Sequence, residues 1–215
     1  MLEVKKTADG SYTLYNPELD EHYHSVHGAR AESKHVFLKA GLEAVKGKSL
    51  QVFEMGFGTG LNAFLAAKWA EAKKVQVTYH AVERYPLEEE VWQKLQYTNE
   101  AEQALVRELH KADWEKEVVI SPFFTLMKRA GDLRSIPLPF GRYHVVFFDA
   151  FGPEKQPELW TQEIFEKLWM AIAFGGTLVT YSAKGTVRRA LLGADFQVER
   201  LPGPPGKREM LRAWK

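Results

Sequence analysis

Three carboxylates stand where an apolar run gives way to a polar turn, and they are the residues best placed to do chemistry. They are Glu83 after His80-Ala81-Val82, Asp132 after Arg129-Ala130-Gly131, and Asp149 after Val145-Val146-Phe147-Phe148. A carboxylate at such a point can accept hydrogen bonds from paired hydroxyls or from an ammonium. Beside a reacting amine it can also orient the nitrogen and take its proton. A fourth acid opens the glycine turn Glu54-Met55-Gly56-Phe57-Gly58-Thr59-Gly60-Leu61-Asn62. Glycines let a ligand meet backbone without a Cβ in the way, and a helix that follows presents free N–H groups and a partial positive charge. The dinucleotide fingerprint G-x-G-x-x-G does not fit, because counting from Gly56 its last position falls on Leu61.

The elements that must hold these residues follow from periodicity. Residues 11–15 form a short strand before a His-rich polar loop, and 29–41 a helix that stops at Gly41. Residues 50–54 are a strand entering the glycine turn, 61–72 a helix and 77–83 a strand. Residues 87–110 are helical with a break near Thr98 or Asn99, and 118–129 are extended. The unbroken apolar run 143–148 suits a strand buried on both faces. Residues 157–173 form a helix with Thr161 as an internal cap, 177–182 a strand and 184–193 a helix. Residues 196–201 and 210–214 are two strands joined through Pro202-Gly203-Pro204-Pro205-Gly206.

Strands alternating with helices give an α/β domain with a mainly parallel sheet. The last two strands are joined too tightly for a helical crossover and must pair antiparallel. The expectation is a single domain over 1–215: an N-terminal extension to residue 45, then a Rossmann-like core with a seven-stranded sheet.

Composition narrows the function. With 29 basic and 28 acidic residues the net charge is +1, so nucleic acid could be held only by a local basic patch. The absence of cysteine excludes disulfides, thiolate metal sites and cysteine nucleophiles, and is compatible with the cytoplasm. No signal-peptide pattern and no membrane-length apolar stretch occur, so neither export nor a membrane anchor is expected. His22, His24 and His27 match none of the usual zinc spacings, and no metal is expected.

E-x-G-x-G-x-G, the trailing acids and the closing hairpin together resemble the class I methyltransferases that use S-adenosyl-L-methionine (SAM). A more specific resemblance starts at Asp149. Asp149-Ala150-Phe151-Gly152-Pro153-Glu154-Lys155-Gln156-Pro157-Glu158-Leu159-Trp160-Thr161 is similar to the D-x-F-x-P-x-K-x-P-E-x-W-T signature of MnmC-type tRNA methyltransferases, with Gln156 where asparagine is common. Tyr23-His24-Ser25 with Gly28-Ala29 and Glu32-Ser33, Thr180-Tyr181-Ser182-Ala183 with Val187-Arg188-Arg189, and Gly206-Lys207-Arg208-Glu209-Met210-Leu211 resemble three further motifs of that family.

The resemblance implies SAM-dependent methylation of the primary amine of wobble 5-aminomethyl-2-thiouridine in tRNA. Glu54, Gly56, Phe57, Gly58, Gly60 and Asn62 would surround the cofactor, with Glu83 on its ribose and Asp132 on its adenine. Asp149 is the candidate catalytic residue, orienting the acceptor amine, holding the methionine amine of SAM, or both. Tyr23, Phe151, Pro153 and Tyr181 would wall the uracil, since a wobble base must be splayed out to be reached. Lys155, Lys184, Arg188, Arg189, Lys207 and Arg208 would gather positive charge for the tRNA. No flavin-type fingerprint follows another strand, so a separate oxidoreductase or aminomethyl-forming enzyme is expected upstream. Two other functions fit parts of the pattern: an N-methyltransferase or aminopropyltransferase acting on a small amine, and a non-catalytic RNA-binding module with a vestigial cofactor pocket.

Overall fold

The computed structural model describes residues 2–95 and 100–215. An antiparallel three-stranded sheet comes first, with β1 Glu3–Lys6, β2 Tyr12–Asn16 and β3 Glu21–His22. Leu14 of this sheet packs on Trp92 and Leu95 of the main body. Helix α1, Ala29–Ser33, runs on as a π-helical turn over Lys34–Lys39, so the helix expected over 29–41 forms with a widened second half.

The main sheet sets residues 197–202, 209–214, 172–180, 143–148, 49–55, 76–83, 124–130 and 117–121 side by side in that order. Its parallel centre is β4 Ser49–Met55, β5 Gln76–Glu83, β7 Phe124–Ala130, β8 Tyr143–Phe148 and β9 Ile172–Thr180. Strand β11, Glu209–Trp214, runs antiparallel to both β9 and β10, Gln197–Pro202, forming the expected terminal hairpin. The helices are α2 Leu61–Lys73, α3 Glu89–Trp92, α4 Glu100–Lys111, α5 Gln162–Ala171 and α6 Gly185–Gly193. The break expected at Thr98 or Asn99 lies outside the described residues.

The sheet has eight strands where seven were expected, and the difference lies in residues 118–129. That segment is a hairpin, β6 Glu117–Ser121 against β7, because Pro122 and Phe123 make a turn and Pro122 cannot donate to a ladder. The helix expected over 157–173 is likewise divided. A 3-10 turn over Pro157–Leu159 precedes α5, whose N-cap Thr161 accepts from the Ile164 N–H at 3.4 Å. Strand β9 begins directly after α5, five residues earlier than expected. Its first half is kinked by Gly175 at φ +75° and by a register shift against β8, which leaves Phe174 in solvent.

Strand β8 is sealed on both faces, with Val145, Val146, Phe147 and Phe148 all fully buried. Helix α2 buries most of its circumference, because the sheet lies on one side and α1, the π turn and α4 lie on the other. The order in which successive strands are added reverses between β4 and β8, which lie side by side and parallel at the centre. That is the switch point at which open α/β sheets bind ligands.

Candidate active site

The glycine turn leaves β4 at this switch point. Gly56, Gly58 and Gly60 all have positive φ, at +90°, +49° and +71°, so the turn needs residues without a Cβ. A Cβ on Gly56 would lie 3.0 Å from the Asp149 carbonyl oxygen, and one on Gly58 3.2 Å from the Tyr23 ring.

Thr59 is clamped from both sides. Its hydroxyl shares a 2.8 Å hydrogen bond with His24 Nε2, and its carbonyl accepts from His110 Nε2 at 3.0 Å. Burial pushes both imidazoles down to about 4, so the clamp is neutral at physiological pH. His110 also stacks on Trp92, with ring centroids 5.0 Å apart and planes at 8°.

Glu83 ends β5 and ties the turn to the next loop. Its Oε2 accepts from the Gly58 N–H at 3.0 Å and its Oε1 from the Tyr85 N–H at 2.8 Å. Burial raises this carboxyl above its usual range, and those N–H groups oppose the rise. Asp149, just past β8, accepts from Asn62 Nδ2 at 2.7 Å. Burial and then the nearby Glu32 push Asp149 up to about 7, against the pull of Asn62 and Lys207.

The residues after Asp149 form a self-tied turn. The Phe151 N–H donates to Gln156 Oε1 at 3.0 Å, and Trp160 Nε1 donates to the Phe151 carbonyl at 2.8 Å. The Phe151 ring is thereby set edge-on to Tyr23, at 4.9 Å and 79°. The Tyr181 hydroxyl donates to the Ala150 carbonyl at 2.8 Å. Lys207 reaches in from the terminal hairpin loop, donates to Glu32 Oε1 at 2.6 Å and lies 3.9 Å from the centre of the Tyr181 ring.

These groups surround a cavity of about 1190 Å³. Of the residues singled out from the sequence, Gly56, Phe57, Gly58, Asn62, Glu83, Asp132, Asp149, Tyr23, Phe151, Pro153, Lys155, Tyr181, Lys184, Lys207 and Arg208 line it. Four of the expected residues do not. Glu54 is 1% exposed and lies behind the wall. Gly60 faces His110 and Phe57 instead, and Arg188 and Arg189 stay on α6 outside the cavity. Asp132 reaches the wall, but Arg134 and Arg84 occupy its carboxylate and hold it down at about 2. Lys184 is paired with Glu154. No chemical pattern in the sequence assigns Glu32, Thr59 or His110 a place around the site. Glu32 does lie within the N-terminal motif and Thr59 within the glycine turn, whereas His110 belongs to neither.

The described wall carries ten carboxyl residues and five Lys or Arg. An acidic cavity suits a cationic ligand bearing an ammonium and a diol, and disfavours one carrying pyrophosphate. SAM, a sulfonium with those groups, fits this donor and acceptor set. Over residues 72–215 the chain also matches the sequence profile of a family described as S-adenosyl-L-methionine-dependent methyltransferases. The chain belongs to that family.

Two relatives of this methyltransferase are the tRNA 5-methylaminomethyl-2-thiouridine biosynthesis bifunctional proteins MnmC of Ectopseudomonas mendocina and Chromobacterium violaceum. The first is 34% identical, with 90% of this chain and 32% of the relative covered; the second is 31% identical, with 85% and 30% covered. The methyltransferase thus spans about a third of the length of these curated relatives. Among solved structures it is similar to MNMC2 from Aquifex aeolicus, with a TM-score of 0.83, 28% identity, and 100% of this chain and 70% of that one covered. Spermidine synthase from Thermotoga maritima, at TM-score 0.56 and 14% identity, shares the fold. Among the described residues, no helix is long and apolar enough to cross a membrane.

Proposed function

We propose that this methyltransferase acts on the exocyclic amine of wobble 5-aminomethyl-2-thiouridine in tRNA, giving 5-methylaminomethyl-2-thiouridine. The observation that carries the reading is Asp149, a carboxylate raised to about 7 at the end of a cavity walled by Tyr23, Phe151 and Tyr181. The named pathway of the bifunctional relatives, and the likeness to the Aquifex protein, supply the substrate class.

When bound, SAM supplies an electrophilic methyl group on sulfur. Gly56, Phe57 and Gly58 would offer it backbone at close range, Glu83 would accept from its diol, and Asn62 and Asp149 would hold its amino-acid end. Asp132 is less available to an adenine amine than its position suggested, since two arginines compete for it.

The acceptor nitrogen must be neutral as the nitrogen–carbon bond forms and the carbon–sulfur bond breaks, so one proton has to leave. An ordinary aspartate lies about six units below an alkylammonium, which makes it a poor base. At about 7, Asp149 is roughly three units closer and can orient the amine and take its proton, directly or through water. Tyr23, Phe151, Pro153 and Tyr181 wall the splayed uracil.

Lys155, Lys184 and Arg208 at the cavity, with Arg188 and Arg189 on α6, meet phosphates. Lys207 serves the site itself, because its ammonium is turned inward onto Glu32 and Tyr181. Residues 1–45 act as the cover of a single methyltransferase unit, supplying Tyr23, His24 and Glu32. Such a reaction belongs in the cytoplasm, downstream of a separate enzyme that makes the aminomethyl group.

Labelled SAM offered with hypomodified tRNA, and separately with spermidine and phosphoethanolamine, tests the acceptor class. Label in tRNA alone supports the proposal. Label in a free amine at a comparable rate overturns it.

A further inference from the structure

Lys128, near the end of β7, is 0% exposed and alternates along one strand face with Phe124 and Leu126, both also fully buried. An apolar residue would suit that position, because burying an ammonium is costly unless its surroundings compensate. The acid that acts on it, Asp113, is exposed and paired with Lys116 at 2.9 Å. Lys128 Nζ instead donates to the His110 carbonyl at 2.6 Å. It also lies 4.7 Å from the centre of the Trp114 ring and 5.2 Å from that of Phe57. Burial pulls its pKa down to about 8, against the opposing effect of Asp113.

Each of these contacts leads to the glycine turn. His110 stands in the last turn of α4, where carbonyls lack an intrahelical partner and a cation is favoured. Its ring holds the Thr59 carbonyl at 3.0 Å. Phe57 lies between Gly56 and Gly58, is 3% exposed, and sets its ring edge-on to His110 at 5.3 Å and to Trp114 at 6.2 Å. Trp114 is itself bridged to Lys128 in parallel register. One ammonium thus reaches the supports of residues 57 and 59, on either side of Gly58. Cation and ring at this spacing attract, most strongly where water is excluded.

We propose that Lys128 is a positioning residue for the cofactor: its buried ammonium, capping the His110 carbonyl and facing the Phe57 ring, fixes the glycine-turn backbone against which SAM lies. A turn held in this way has little left to order when SAM binds. The inference uses the SAM dependence of the family and not the identity of the acceptor, so it stands or falls apart from the tRNA reading.

Two variants separate the contacts. Lys128→Met removes both charge and donor, whereas Lys128→Gln keeps a donor for His110 without the charge. Calorimetric titration should show the SAM dissociation constant rising about five- to thirtyfold in both, as expected for a desolvated cation lost from a ring. In a Phe57→Leu background, Lys128→Gln should add less than about twofold, because the ring it acts through is gone. Methyl transfer to tRNA should show KM for SAM raised by the same factor and kcat at saturating SAM within about twofold of wild type. Thermal melts of the same samples check that each variant is folded, and if Lys128→Met is not, the Gln variant decides. Unchanged SAM affinity in folded Lys128→Gln overturns the proposal, as does a loss that adds in full to that of Phe57→Leu. A fall in kcat with KM for SAM unchanged would make Lys128 a support of the fold alone and refute the positioning role. The calorimetric results decide even if tRNA proves not to be the acceptor.

Discussion

Replacing Glu83 by glutamine tests whether this side chain acts as a carboxylate or merely as a filler. In the structure both of its oxygens are acceptors, one for the Gly58 N–H at 3.0 Å and one for the Tyr85 N–H at 2.8 Å. An amide has one oxygen, so Glu83→Gln must set an NH2 against one of those backbone donors. The spare lone pairs that a ligand diol would use are reduced at the same time. Losing charge-assisted hydrogen bonds costs about 1.5–3 kcal/mol, which is roughly a 13- to 160-fold rise in the SAM dissociation constant. Glutamine should therefore be no better than alanine, although it is the closer isostere. Glutamine also leaves one of the two backbone donors without its acceptor and alanine leaves both, at about 1 kcal/mol for each, or roughly 2–4 °C in Tm apiece for a chain of this size. Calorimetric titration with SAM at pH 8, with thermal melts of the same samples, measures both quantities. Glu83→Gln binding SAM as wild type does, with alanine impaired, would refute the reasoning, because volume rather than paired acceptors would then be what matters.

Asp149→Asn should fold normally and turn over about a hundredfold more slowly. It should also flatten the rise of wild-type activity through pH 7; if Asp149 only holds the cofactor, SAM affinity falls instead. Arg188→Ala, Arg189→Ala and Arg208→Ala should each weaken tRNA binding and lower its salt slope by up to about one. Lys207→Ala should leave that slope in place and change turnover, as its inward pairing with Glu32 requires; a changed slope would put Lys207 on the phosphates. His80, 4% exposed, is pushed down to about 4 by burial, so its folded value lies below the unfolded 6.5. Its contribution is present above pH 6.5 and lost as pH falls through 4. Urea titrations should therefore show wild type losing up to about 3 kcal/mol more than His80→Gln between pH 7 and pH 4.

Much of the site was legible in the sequence because a parallel sheet delivers its strand ends to one edge. Glu83, Asp132 and Asp149 each follow an apolar run, and alternation with helices is enough to place all three beside the glycine turn. What was not legible depends on pairings distant in sequence. The Lys207–Glu32 contact joins residues 175 positions apart, and the two histidines that clamp Thr59 come from 35 and 51 positions away. No local pattern marks such partners. The burial of Glu54 is likewise set from a distance, by Tyr79 on β5 and by Asn62 of α2, which its place in the glycine motif does not reveal. The hairpin at Pro122 was hidden by apolar residues on both sides of the turn. Asp132 stands at the cavity wall, and the two arginines that occupy it come from its own turn and from the loop after β5.

The central claim is methyl transfer to a primary amine that tRNA already carries. The glycine turn Gly56-Phe57-Gly58-Thr59-Gly60-Leu61 departs from the G-x-G-x-x-G fingerprint at its last position, so the proposal assigns these residues methyl transfer alone. The decisive measurement offers the purified chain two tRNA preparations with labelled SAM, one bearing 5-aminomethyl-2-thiouridine and one its 5-carboxymethylaminomethyl form, followed by nucleoside analysis. The account predicts labelled 5-methylaminomethyl-2-thiouridine from the aminomethyl form alone. Equal conversion of the carboxymethylaminomethyl form, or no label in either, would contradict it.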